Sequence, residues 1–441
     1  MNEGGVIFRS TKTTGRIPAR KENTAMVEKS TEEPFGSRTM WEQLETMARE
    51  RIREFVQALL EEEVTALVGR SKSERRESVD APAVYRNGYG KPRKLAMMGG
   101  TIEVCRPRLR GLEERFESRI LPLFRRRTEQ VGELLPQLYL HGLAQGDFEL
   151  ALRGLLGKAA PLSPSSIERL RGKWVTEFEA WRRRSLRGLE PVYLWADGIY
   201  VKAGLEKEKA ALLVIVAGLR DGRKVVLAVE SGYRESAEAW GQLLRDLLAR
   251  GMRAPRLVVA DGHLGIWAAL AQVLPGVQEQ RCWNHKIVNV LDTLPKKQQS
   301  EARELLRKIP YASTRVKAEE LREQFRSRFG QEQPKAAETL ERDWERMVAF
   351  YAFPQEHWKH LRTTNPVESP FAVVRLRTAA GKRYKKVANA TALIWRVLLV
   401  AEKTFRRLDS PELLAEVAEG ATYEDGVRVL REEPAAEEVA A

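Results

Sequence analysis

Three acidic residues stand in sequence contexts that bring carboxylates together. Asp197 lies in Val192-Tyr-Leu-Trp-Ala-Asp-Gly-Ile-Tyr-Val-Lys202, Asp261 in Leu257-Val-Val-Ala-Asp-Gly-His263, and Glu368 in Thr363-Thr-Asn-Pro-Val-Glu-Ser369. The first two interrupt or end apolar runs of β-forming residues, and the third opens a helix. Such a cluster is an all-oxygen site for hard divalent cations, Mg²⁺ or Mn²⁺. Two such ions about 4 Å apart activate the attacking oxygen and stabilise the leaving oxygen of a phosphoryl displacement. An aspartate before glycine is ordinarily a turn residue. Against that reading, Asp197 has β-formers on both sides, and Asp261 ends an apolar strand, where open α/β sheets place their sites. Glu368 has its own structural reading: with Asn365 as N-cap and Pro366 at N1, it falls at the capping-box position.

Other residues flank these three. His263 is a site-shell candidate or an exposed loop histidine. Cys282-Trp-Asn-His285 sets Cys282 and His285 at i, i+3, on one face of a helix start. A structural zinc needs four ligands and no second Cys/His pair has a suitable spacing, so no zinc is expected; His285 is read as a phosphate contact or a packing residue. Beyond Glu368, the cations Arg375, Arg377, Lys382, Arg383, Lys385 and Lys386 suit contact with a phosphate backbone, or form a solvated face.

The chain has 441 residues, enough for two or three domains with cores, and carries 75 Lys+Arg against 61 Asp+Glu, a net +14. That balance favours a polyanionic partner. The excess concentrates in segment 91–127, which includes Arg106, Arg108 and Arg110. Cys105 and Cys282 are the only cysteines, which excludes a disulfide framework and a four-cysteine zinc site and suits a reducing compartment. No apolar run approaches the ~20 residues of a membrane span, so the expected setting is cytoplasmic, with no membrane partner.

The elements that would position the carboxylates follow from periodicity. Residues 1–38 read as a disordered extension. Residues 39–184 read as an N-terminal DNA-binding region. It comprises an amphipathic helix over 41–68, an Asn87-Gly88 tight turn, a short strand in 100–107, helical pattern over 130–156, and a helix from Ser163 toward Arg184. The last two form a helix-turn-helix-like unit or two merely packed helices. In 185–294, strands are expected near 191–203, 210–219 and 224–231. A helix follows from Ser236, then strand 256–261, helix 264–273, strand 277–282 and a helix from 285. This βββαβαβα order resembles the α/β ribonuclease H-like fold, in which the first and fourth strands lie side by side, making Asp197 and Asp261 neighbours. An all-helical insertion is expected over 295–362. The final helices take 363–408, the first running from Pro366 past Arg377, and an acidic tail covers 409–441.

Taken together, Tyr85-Arg-Asn-Gly-Tyr89, Asp197-Gly-Ile-Tyr-Val-Lys202, Cys282-x-x-His285 and Thr363-Thr-Asn-Pro-Val-Glu368 resemble the Mutator-like insertion-sequence transposases of bacteria, over about Trp41 to Leu408. The resemblance implies a DDE triad of Asp197, Asp261 and Glu368, and an N-terminal region that binds terminal inverted repeats. It also implies strand cleavage followed by attack of the freed 3′-hydroxyl on target DNA. The expected partners are double-stranded DNA and, in the DNA complex, a second copy or a higher oligomer. Gly262 departs from the pattern, which favours a small residue such as Ala, and so does Ser-Pro-Phe after Glu368. A nuclease or resolvase on the same fold, and a non-catalytic DNA-binding relic, are the rival readings.

Overall fold

The structure is a computed structural model that describes residues 37–75, 84–114, 116–122, 125–144, 147–156, 164–203, 210–232, 235–262, 264–380 and 384–429. The N-terminal part opens with helix α1 (Ser37–Val68). Strands β1 (Tyr85–Tyr89), β2 (Arg93–Met97), β3 (Gly100–Val104) and β4 (Pro107–Arg110) follow, then α2 (Glu129–Leu140), α3 (Phe148–Leu156) and α4 (Pro164–Arg182). β2 and β3 form a hairpin, and β1 pairs antiparallel with β4. Asn87-Gly88 therefore turns no hairpin. Gly88, at φ +64°, sits within β1 where its register with β4 shifts, as at a bulge. Leu60, Leu95, Ile102, Val104 and Leu121 close a small core between α1 and the hairpin.

The central sheet is built from β5 (Pro191–Val201), β6 (Ala210–Leu219), β7 (Lys224–Gly232), β8 (Leu257–Ala260) and β9 (Gln278–Arg281). Its spatial order is β7-β6-β5-β8-β9, with the first three antiparallel and β8 and β9 parallel to β5. β6, Ala-Ala-Leu-Leu-Val-Ile-Val-Ala-Gly-Leu, is buried almost throughout, as a strand covered on both faces must be. Helices α5 (Ala237–Ala249) and α6 (Leu264–Val273) cover one face, packing Trp240, Leu244, Trp267 and Leu270 on Leu194, Ile215 and Val258. Alternation sends Tyr193, Trp195, Val214 and Val259 to the other face.

That second face is covered by the rest of the chain. After α7 (Trp283–Leu291) come α8 (Gln299–Lys308), α9 (Arg315–Phe329), α10 (Pro334–Glu341), α11 (Trp344–Val348) and α12 (Trp358–Leu361), a helical insertion. Then follow α13 (Asn365–Glu368), α14 (Phe371–Ala380), α15 (Val387–Glu402) and α16 (Pro411–Glu419). A final hairpin pairs β10 (Tyr423–Glu424) with β11 (Val427–Arg428). Two expectations change here. The helix from Pro366 is two helices, because Pro370 has no N–H to continue α13. The acidic segment after residue 408 is packed as far as 429: Leu414, Val417 and Tyr423 are buried in the main core. Helices α2 and α4 also share that core, with the rings of Phe178 and Trp181 tilted against Trp395 of α15, so the N-terminal helices and the sheet are packed together. Among the described residues no helix is long and apolar enough to cross a membrane.

Candidate active site

Two of the carboxylates are brought together by the sheet alone. Ala196 is in parallel register with Ala260, so Asp197 and Asp261 are the next residues on adjacent strands. Alternation places both on the face of Trp195 and Val259. Asp197-Gly198 is no turn: the strand runs through it, pairing Asp197 with Val214 and Gly198 with Leu213. A Cβ at Gly198 would displace the Glu235 carboxylate, which occupies that space. Asp261-Gly262 does turn. Gly262 has φ +99°, which an alanine adopts only with strain, so the departure from the small-residue pattern has a backbone cause.

The third carboxylate arrives through the end of the insertion. The Trp195 indole donates to the His360 carbonyl at 2.8 Å, and Tyr193 Oη meets His357 Nδ1 at 2.8 Å, laying residues 357–364 across β5. The Trp283 amide donates to Arg362 O at 2.9 Å and the Thr364 amide to Cys282 Sγ at 3.3 Å. Helix α13 is thereby set against β5 and β6 with Glu368 at its last position. The capping box is not formed. The N-cap is Thr364, one residue earlier than expected, and its hydroxyl donates to Glu368 Oε1. Asn365 instead accepts from Asn284 Nδ2 at 3.2 Å.

Electrostatics show the crowding of the three. Burial, then the charge of Asp261, push the Asp197 carboxyl up to about 7; Glu368 adds to this, while the Gly198 amide at 2.8 Å and His285 oppose it. The ionised form of Asp197 is thus disfavoured, first by burial and then by its carboxylate neighbours. His285 Nδ1 is 3.7 Å from Glu368 Oε1, and the ligand atoms of Cys282, His285 and Glu368 lie within 4.8 Å of one another. A hydrogen bond with Cys282 and the charges of Cys282, Glu368 and Asp261 hold the His285 imidazole up at about 9, against its burial. At neutral pH it is a cation beside the carboxylates. Cys282 is fully buried and clamps the backbone at Thr364. His263 lies outside the described residues.

Three residues at the site were not among those the sequence singled out. Thr364 orients Glu368, and Glu235 is a buried carboxylate against Gly198. Arg281 fills the space over Gly262 and pairs with Asp343 of the insertion at 2.7 Å. One available signal was the position of Arg281 at the end of a strand parallel to that of Asp261.

The basic residues divide. Arg377 is not a phosphate contact: it is 2% exposed, with its guanidinium 3.8 Å from the centroid of the Tyr139 ring. Phe371, Val374 and Arg377 share the buried face of α14 at three-residue steps, a spacing that could have revealed it. Arg375, Lys385 and Lys386 are exposed, whereas Lys382 and Arg383 lie outside the described residues. In the N-terminal part, Lys91, Arg93, Arg106, Arg108, Arg110 and Arg126 line a groove of about 850 Å³. Arg108 and Arg110 are exposed there; Arg106 is half-buried and donates to the Phe116 carbonyl.

Comparison with known proteins decides the family. The family model described as "Transposase, Mutator family" matches residues 24–407. This chain belongs to the Mutator family of transposases. It is 44% identical over 296 residues to the transposase for insertion sequence element IS6120 of Mycolicibacterium smegmatis, covering 67% of this chain and 92% of that protein. It is 39% identical to the transposase for element IST2 of Acidithiobacillus ferrooxidans, over 63% of this chain and 94% of the relative. With the transposase for element ISRM5 of Rhizobium meliloti it shares 30% identity over 78% and 85% of the two chains. The chain is accordingly a DNA transposase, an enzyme that binds DNA, cleaves it and transfers strands. The family match begins at residue 24, so it reaches into the segment 1–38 read from sequence as a disordered extension.

Proposed function

We propose that this transposase is of the DDE type, with Asp197, Asp261 and Glu368 as its catalytic carboxylates on a ribonuclease H-like sheet, acting at the terminal inverted repeats of an insertion sequence. The observation that carries the proposal is the convergence of the three acids: two in adjacent register on parallel strands, the third delivered by the insertion, all bearing on the charge of Asp197. The strand order β7-β6-β5-β8-β9, antiparallel then parallel, supports the fold assignment.

The donor set fits Mg²⁺ or Mn²⁺, because it is all carboxylate oxygen and its excess negative charge is of the kind a dication offsets. A pair of such ions, when bound, supplies an activated oxygen nucleophile and stabilisation of the departing 3′-oxygen. The chain's own residues prepare that chemistry. Thr364 holds the Glu368 carboxylate by its hydroxyl. His285, cationic at neutral pH, stands where it can donate to a phosphate oxygen. The buried Arg281 and the turn at Gly262 fix the backbone that carries Asp261. Water attack breaks the P–O3′ bond at the element end, and the freed 3′-hydroxyl then attacks a target phosphodiester, releasing that bond's 3′-oxygen. The groove around Arg108 and Arg110, with Arg375, Lys385 and Lys386, supplies cations for the backbone of the double-stranded substrate. Two element ends require a homodimer or higher oligomer in the DNA complex.

The test is cleavage of end-containing duplexes in Mg²⁺ or Mn²⁺ by Asp197→Asn, Asp261→Asn and Glu368→Gln. Each should lose at least about 10³-fold in strand cleavage while binding DNA as the wild type does, since each removes a ligand charge and little volume. Near wild-type cleavage by any one of them removes that residue from the triad.

A further inference from the structure

Among the described residues, helix α1 is anchored at one end only. Its C-terminal half is held by Leu60 and Val64, both fully buried, and by Gln57, which donates to the Cys105 carbonyl at 2.8 Å and accepts from its amide at 3.0 Å. From Met40 to Phe55, every residue except Arg49 is exposed. That stretch is strongly apolar nonetheless: Met40, Trp41, Leu44, Met47, Ile52 and Phe55 are between 40% and 73% exposed. Together they leave on the order of 700 Å² of side chain uncovered, above the roughly 300–600 Å² of a typical monomer's largest apolar patch and close to the ~800 Å² per partner of a standard interface. Among the described residues nothing covers it.

The stripe has a symmetry of its own. Trp41, Leu44, Ala48, Ile52 and Phe55 follow one another at intervals of three, four, four and three residues, so the pattern reads identically in both directions from Ala48. A second copy laid antiparallel on the first sets Trp41 of one against Phe55 of the other and Leu44 against Ile52. The two Ala48 residues meet at the centre, where a small side chain lets the helices approach to the short end of the usual ~8–10 Å separation. That is the self-complementarity a two-fold contact needs. Charge excludes a polyanion as occupant: within 40–55, Glu42, Glu45, Glu50 and Glu54 outnumber Arg49, Arg51 and Arg53, in a chain that carries +14.

We propose that residues 40–55 of α1 form a homodimer interface, two copies packing antiparallel about a two-fold axis at Ala48. The inference deepens the multi-subunit reading above and rests on it for its purpose, holding two catalytic sites in one assembly. The experiment weighs the full-length protein by light scattering, without DNA or metal. The wild type should show twice the 50.2 kDa chain mass, and Leu44→Glu and Phe55→Glu should halve it, while Val316→Glu, at an exposed position of α9, should not. Under mild oxidation Ala48→Cys should give a disulfide-linked dimer, and Glu50→Cys, on the far side of α1, should not. A monomeric wild type at tens of micromolar, an unchanged mass for both glutamate variants, or cross-linking of Glu50→Cys but not Ala48→Cys would each overturn the interface. So would dimerisation seen only after deletion of residues 1–36, since the stripe would then be covered by the chain's own N-terminus. Strand cleavage is assayed separately: a monomer that cleaves sinks the interface alone, and a dimer that never cleaves sinks the functional reading alone.

Discussion

Replacement of Asp197 by asparagine should stabilise the metal-free protein at alkaline pH, although it destroys the proposed site. The Asp197 carboxyl is raised from 3.8 to about 7 by burial and by Asp261 and Glu368. At ~1.36 kcal/mol per unit, that shift corresponds to about 4 kcal/mol against the ionised, folded state, of which rearrangement and entering water leave roughly 1–3 kcal/mol to be recovered. The folded-state value lies above the unfolded one, so the penalty is absent below about pH 4, grows from there to pH 7, and is complete above it. Asparagine is neutral and nearly isosteric, and removes it. Thermal unfolding in EDTA at pH 8 should show Asp197→Asn melting roughly 1–3 °C above the wild type, with the gap narrowing at pH 5.5. Millimolar Mg²⁺ should reverse the order, because a ligand that binds the folded state stabilises only the protein that retains its site. An Asp197→Asn protein no more stable than wild type at pH 8, or a gap that ignores pH, would refute the claim that burial and the neighbouring carboxylates disfavour ionised Asp197 in the folded state.

Arg377→Ala should lower stability by about 2–3 kcal/mol, read as a Tm shift, because a buried guanidinium stacked on Tyr139 is lost, and should leave the salt dependence of DNA binding unchanged. The pair Arg108→Ala and Arg110→Ala should weaken binding to all DNA sequences and reduce the log–log salt slope by roughly 2, measured by fluorescence anisotropy titration. A truncation retaining only 185–441 should aggregate or melt early, since it strips Phe178 and Trp181 from Trp395; a soluble fragment with a cooperative melt would contradict the shared core. Thr364→Val should keep the fold and lose at least about tenfold in cleavage rate, with Thr364→Ser largely restoring it, as expected of a hydroxyl that orients Glu368.

Much of the site's geometry follows from short-range pattern. Period-two alternation on 193–197 and 257–261 sets Asp197 and Asp261 each on a definite face of its own strand, whereas the parallel pairing of β5 with β8, which β6, β7 and α5 separate in the chain, is a property of the folded sheet. The helical insertion and the helix start at Pro366 are likewise marked by periodicity and by proline. Tertiary packing settled what those patterns leave open. Arg377 reads as one more cation in a basic run until α14 docks on Tyr139, more than two hundred residues earlier in the chain. Asn365 is as good an N-cap as Thr364 by residue type, and the contacts of residues 362–364 with Cys282 and Trp283 choose between them. The acidic segment after Asp409 looks like a solvated tail, yet Leu414, Val417 and Tyr423 find apolar partners in the sheet and insertion. Periodicity specifies which side of an element is apolar; which other element buries that side, and which charges are caught beneath it, depends on contacts between residues far apart in sequence, and only the folded chain supplies those.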